Sequence, residues 1–159
     1  MTLEEAREAT QEAAVAAEQI AAHLERLQLS FGAQFPLKAS DLASWPDAPR
    51  ERLHAMLRMF EQLHDLIGRK LFRGFLTLSG EDAASLSAKN LFRRMEALNV
   101  IESADRWLEL ATTRNILVHD YPTNAEKQAR SANLAWRDLE DLIRTTERVI
   151  GALRQEQLI

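Results

Sequence analysis

The sequence predicts an all-α protein, an antiparallel helical bundle of four long helices plus a short one. Three observations predict it. Apolar residues recur at helical spacing over long segments, and no stretch alternates with a period of two. The five glycines and four prolines fall mostly between the periodic segments instead of inside them.

The first periodic segment covers residues 3–29, with Ile20, Leu24 and Leu27 on one stripe and alanines behind them. Residues 30–49 contain Gly32, Pro36, Pro46 and Pro49 and read as a connection, with a short turn of helix after Ser40. A second helix is predicted over 50–78, where Leu53, Met56, Leu57, Phe60, Leu63, Ile67 and Leu71 follow the helical period and Ser79-Gly80 ends it. The short helix covers 87–98, with Ser87 as its N-cap. After the break Asn99-Val100-Ile101, Ser103 caps a helix reaching Val118. Asp120-Tyr121-Pro122-Thr123-Asn124 reads as a turn, because Pro122 biases Tyr121 away from helical geometry. The last helix, 124–155, aligns Ala135, Leu139, Leu142, Thr146, Val149 and Leu153. Residues 1–159 are therefore expected to form a single helical domain.

Composition narrows the chemistry. Hydrophobic residues make up 46% and charged residues 28%, the balance of a water-soluble globular domain. With no cysteine, disulfides and thiolate metal sites are excluded, and a cytoplasmic setting is the expectation. The opening MTLEEAREATQEAA has no basic stretch followed by an apolar core, so it does not read as a signal peptide, and no apolar run has the length of a membrane span. A net charge of −4 argues against nonspecific coating of nucleic acid. The charge is uneven, however. Residues 3–29 carry six acids against two arginines, while Arg69, Lys70, Arg73, Lys89, Arg93 and Arg94 cluster mid-chain, as a local basic surface or as solvated helix faces.

Two familiar chemistries find no support. There is no glycine-rich phosphate loop. Two Glu-x-x-His pairs, Glu51/His54 and Glu61/His64, lie ten residues apart on one predicted helix, whereas a di-metal bundle needs such pairs on two helices with further glutamates opposite. Ordinary surface or core-edge histidines account for them, and no metal or cofactor is expected.

What remains is Thr112-Thr113-Arg114-Asn115-Ile116-Leu117-Val118-His119-Asp120-Tyr121-Pro122, where a predicted helix runs into a turn. The residue types suit phosphodiester chemistry. Arg114 offers a permanently charged planar fork to phosphate oxygens. An imidazole such as that of His119 can move a proton to or from a ribose or leaving oxygen. Arg114 and His119 lie roughly 140° apart on an ideal helix. They converge only if the helix unwinds at His119 or if two protomers face each other. A plainer reading treats both as cations stabilised by the helix dipole, by about 0.3–1 kcal/mol each.

This stretch resembles the R-x4-6-H-x-Y signature of HEPN domains, in the form R-N-x-x-x-H-x-Y, with Asn115 as the polar residue after the arginine. The likeness covers roughly residues 50–122. Phe60-Glu61-Gln62-Leu63-His64-Asp65 is similar to the family helix that carries an acidic pair four residues apart. Residues 92–101 are similar to its next helix and its apolar turn, with Asn99 where glycine is common. Trp107 resembles the branch described as nucleotidyltransferase substrate-binding subunits. The resemblance implies a homodimer with two Arg-x4-His motifs in one cleft, acting as a metal-independent endoribonuclease toxin on RNA. Arg114 and His119 would be its catalytic residues, and Asn115 and Asp120 would support them. It also implies a minimal nucleotidyltransferase antitoxin that AMPylates Tyr121, the one tyrosine in the chain. The alternative is a non-catalytic binding partner that presents Tyr121 or a nucleotide to the transferase.

Overall fold

The computed structural model describes residues 1–119 and 124–159, and among them there are helices and no strands. The first helix, α1 (Leu3–Phe31), is opened by a capping box in which Thr2 and Glu5 each bond the other's backbone N–H. Its inner face is built from Ala6, Thr10, Ala13, Ala14, Ala17 and Ala21 before Leu24, Leu27 and Phe31 take over. Small side chains let its first half lie close to its neighbours, and larger ones fill the wider end.

Residues 32–46 are an ordered strap. A single 3-10 turn (Gly32–Gln34), a cis Phe35–Pro36 bond and the short helix α2 (Ala39–Ser44) make it up. Asn133 holds it from the last helix, accepting from Leu37 N at 2.7 Å and donating to Leu37 O at 3.0 Å. Arg50 donates to the carbonyls of Leu42 and Trp45. Phe31, Phe35, Trp45 and Trp136 pack together over the junction.

Residues 47–78 form one long helical element in three parts, α3 (Asp47–Asp65), a π turn (Leu66–Leu71) and α4 (Phe72–Leu78). It starts three residues earlier than the sequence pattern placed it. Pro49 sits in the first turn, where its missing N–H has no intrahelical partner to lose. The spacing of the buried residues accounts for the π turn. Leu63, Ile67, Leu71 and Phe75 are all buried and four residues apart. On an α-helix of 3.6 residues per turn that spacing drifts off the core face by roughly 40° per step. The wider π turn takes up the excess and keeps the apolar line inward.

Gly80, with φ 86°, closes α4: Gly80 N–H donates to Thr77 O and Glu81 N–H to Leu76 O, the Schellman pattern. Helix α5 (Ala88–Ala97) begins at Ser87, whose hydroxyl accepts from Asn90 N, and ends in a second Schellman turn. There Asn99 occupies the left-handed position at φ 61° and its amide oxygen accepts from Arg148. Asparagine tolerates that conformation better than most residues, which is why glycine is dispensable. Helix α6 (Ala104–His119) has Ser103 bonding Arg106 N at its start. Helix α7 (Ala125–Gln155) is capped by Asn124.

The four long elements make an antiparallel ring. Thr10 meets Gly74 while Phe31 lies under Arg52, so α1 opposes α3–α4. Asp65 bonds Arg114 while Phe72 packs on Trp107, so α3–α4 opposes α6. Asp138 reaches Thr113 while Arg148 reaches Glu102, so α6 opposes α7. Trp136 packs near Phe31 while Arg154 pairs with Glu18, so α7 opposes α1. Helix α5 closes one side against α4 and α6, and α2 lies on α7. Among the described residues no helix is long and apolar enough to cross a membrane.

The tightest approach in the ring is between α1 and α4. A Cβ at Gly74 would fall against Thr10 Oγ1 and 2.8 Å from its Cγ2. Thr10 is β-branched and its hydroxyl is engaged with Ala6 O at 2.7 Å, so it has little freedom to turn away. Gly74→Ala should therefore cost stability despite the better helix propensity of alanine, by about 1–2 kcal/mol. Thermal denaturation of Gly74→Ala and of the double variant Thr10→Ala/Gly74→Ala checks this, because removing the threonine branch should restore most of the loss. An unchanged melting temperature in the single variant would contradict the close contact.

Candidate functional site

Helix α6 carries the predicted motif, and two carboxylates from different helices fix how it is turned. On its α7 side, Thr113 and Arg106 meet Asp138, which has no exposed surface. Arg106 also donates to Asp141 at 2.7 Å and to Glu109 at 2.9 Å, and Arg137 adds a further bond to Asp138. Burial pushes the Asp138 carboxyl up. The bonds from Arg137, Thr113 and Arg106 outweigh it, and the group is held below its ordinary range.

On its α3 side, Arg114 donates to Asp65 through Nε at 2.9 Å and through Nη2 at 2.8 Å, a bidentate pair. Nη1 donates to Asn115 Oδ1 at 3.2 Å. A guanidinium has five N–H bonds. Three are used among the described residues, leaving one each on Nη1 and Nη2. The Arg114 side chain is 18% exposed. Hydrogen bonding to Asp65 raises the already high proton affinity of Arg114.

Glu61 lies one turn before Asp65 on α3. Burial pushes its carboxyl above the ordinary value and repulsion from Asp65 adds to this, while Arg114 and Arg58 oppose it. The acidic pair four residues apart thus flanks the arginine, with Asp65 bonded to it and Glu61 within its field.

His119 is the last residue of α6 and is exposed. The helix does not unwind there, so Arg114 and His119 remain roughly 140° apart. One protomer does not bring them together by the unwinding route. Asn115 is exposed beside Arg114 and bonded to it. Asp120 and Tyr121 lie outside the described residues.

Three features of this region go beyond the sequence reading. Asp138 was missed as a structural hub, although an aspartate set into the apolar stripe of Ala135, Leu139 and Leu142 was its signal. His64 turns inward and stacks on Trp107 with ring centroids 4.5 Å apart and planes 7° from parallel. Trp107 is itself 2% exposed and packed on Phe72 and Phe92, as a core residue. His54, from the other Glu-x-x-His pair, is exposed and faces Gln128 on α7. The basic cluster also divides. Arg94 is bound to Glu81 and Arg73 to the carbonyls of Ala83 and Leu86, whereas Arg69, Lys70, Lys89 and Arg93 make no such bond among the described residues.

His64 gives the site's surroundings a measurable pH dependence. Burial pushes its imidazole down to about 4, with Arg114 and Arg69 acting the same way and Asp65 opposing them. In the unfolded chain the imidazole takes a proton near 6.5, but in the fold only near 4. Stability from the neutral form is complete above pH 6.5 and is lost as pH falls towards 4, by on the order of 3 kcal/mol. Melting temperatures across that window should fall in the wild type and flatten in His64→Phe, which keeps a ring on Trp107. Equal slopes in both would show that the imidazole is not buried neutral.

No family model, no curated protein and no solved structure matches this chain.

Proposed function

We propose that the chain is a HEPN-type toxin, a metal-independent endoribonuclease that works as a two-fold dimer and is neutralised by a minimal nucleotidyltransferase that AMPylates Tyr121. The observation that carries this reading is the arginine edge. Asp65 and Asn115 take three N–H groups of Arg114 and leave two without a partner among the described residues, five residues before an exposed histidine on the same helix.

In this reading the free edge of Arg114 holds two oxygens of the scissile phosphate and stabilises the charge that builds on them. The ribose 2′-hydroxyl attacks phosphorus and the bond to the 5′-oxygen breaks. His119 takes the 2′-hydroxyl proton or protonates the departing 5′-oxygen. The products are a 2′,3′-cyclic phosphate and a 5′-hydroxyl end. Since Arg114 and His119 of one α6 face different ways, the cleft takes its two groups from two protomers related by a two-fold axis. An AMP group on Tyr121 brings a phosphate close to the guanidinium that RNA needs, and inhibition follows without a change of fold.

The angle between Arg114 and His119 in one protomer also favours a second reading. A chain that stays monomeric would present its motif to a nucleotidyltransferase as a binding partner and cut nothing.

Arg114→Ala and His119→Ala should each lower cleavage of single-stranded RNA by about a hundredfold or more. Helicity should be kept and melting should shift little, because a partly exposed ion pair contributes about 1 kcal/mol or less. Wild-type cleavage should survive EDTA. Product analysis by gel and mass spectrometry checks all three. Cleavage that persists in both variants, or that stops with the chelator, overturns the assignment. A wild type that never cuts RNA leaves the binding-partner reading in its place.

A further inference from the structure

A groove of about 480 Å³ runs between α1 and the π turn, lined by Ile20, Gln62, Asp65, Leu66, Arg69 and Lys70. Asp65 belongs both to this groove and to the Arg114 pair, so the groove opens directly beside the proposed phosphate site. We infer that it is the subsite for the nucleotide next to the scissile phosphate. Arg69 and Lys70 bind the flanking phosphate of a single-stranded RNA, and Ile20 and Leu66 form the floor under its nucleoside. This rests on the ribonuclease reading above and adds the path of the strand to it.

Arg50, Arg73, Arg94, Arg106, Arg148 and Arg154 all have bonded partners within the protomer. The arginine-rich cleft between α6 and α7 illustrates the consequence. Its Arg106, Arg144 and Arg148 are matched by Asp141 and Glu102, so an incoming phosphate would have to displace a carboxylate. Arg69 and Lys70 differ. Both are exposed, and neither makes an ion pair or hydrogen bond among the described residues. Two adjacent cations with no ion pair among the described residues lie along a groove that they share with Asp65.

The chemistry agrees with this placement. The π turn keeps Ile67 and Leu71 buried while Arg69 and Lys70 stay outside. Ile20 and Leu66 are half-buried, an apolar surface on which a ribose or base can lie, and Gln62 beside them offers an amide to a base edge. Cations along the backbone path with an apolar surface beside them are the usual parts of a single-strand site.

The test uses a short 2′-O-methyl oligouridine, which lacks the attacking hydroxyl and stays intact, with binding followed by fluorescence anisotropy across a salt series. Arg69→Gln/Lys70→Gln should weaken binding and flatten the plot of log K against log salt by about 0.7, the loss of one phosphate contact on a single strand. Lys89→Gln/Arg93→Gln on α5 removes the same charge elsewhere and should leave the slope near that of the wild type. An unchanged slope in Arg69→Gln/Lys70→Gln, or equal changes in both double variants, overturns the inference. The cleavage assay separates the two failures. If wild type cleaves RNA while Arg69→Gln/Lys70→Gln binds normally, only the groove assignment falls. If wild type neither binds nor cleaves, the ribonuclease reading falls with it.

Discussion

Asp138 has no exposed surface, yet it carries a charge between two helices, and its neighbours explain how the fold tolerates it. Burying a carboxylate costs several kcal/mol unless the charge is paired and its lone pairs are filled. Thr113 and Arg106 of α6 and Arg137 of α7 do both. One residue further along α6, Arg114 is taken by Asp65 of α3. Consecutive residues of one helix are thus bonded to acids on two different helices. Neither rotation nor sliding of α6 is possible without breaking one set. An apolar seam alone would tolerate small shifts, whereas directed bonds to buried charge do not.

The rest of the site depends on that lock. In the proposed reading Arg114 takes a phosphate only while Asp65 holds its Nε and Nη2 in place. Trp107, two turns before Arg114 on α6, presses on His64 and on Phe72, so α6 is also held by its flattest and largest side chain. The π turn sits at the same level. It corrects the register of the long second element so that Asp65 faces α6 while Leu71 and Phe75 remain in the core. Proline and glycine act where backbone chemistry demands them. Pro49 lies in a first helical turn, Gly80 closes α4, and Gly74 admits Thr10.

Much of the fold was legible in the sequence because the apolar periods are long and the caps are ordinary. Ser87, Ser103 and Asn124 each sit at a helix start and bond the backbone as their side chains lead one to expect. The strap between α1 and α3 was harder to read. Its order comes from Asn133 and Trp136, about a hundred residues away in the chain. The π turn was also hidden, since a run of four-residue spacings reads as helix at any pitch. At the site, Arg114 and His119 stood out by residue type, but their partners did not. Asp65 stood out only through the resemblance, as one of an acidic pair four residues apart with no partner assigned, and Asp138 signalled itself only by interrupting an apolar stripe. The inward turn of His64 has no local signal, because it is fixed by Trp107 on another helix.

In the proposed ribonuclease the acting arginine and histidine come from different protomers, because α6 remains helical through His119. Mixing the two inactive variants tests it most directly. Arg114→Ala and His119→Ala subunits, unfolded together and refolded, form mixed dimers in which one arginine and one histidine survive on opposite chains. If the groups act across the two-fold axis, one of the two sites in each mixed dimer is whole. RNA cleavage should then return to about a quarter of the wild-type level. Mixed dimers that form, by mass spectrometry, yet remain as inactive as either parent would contradict the account.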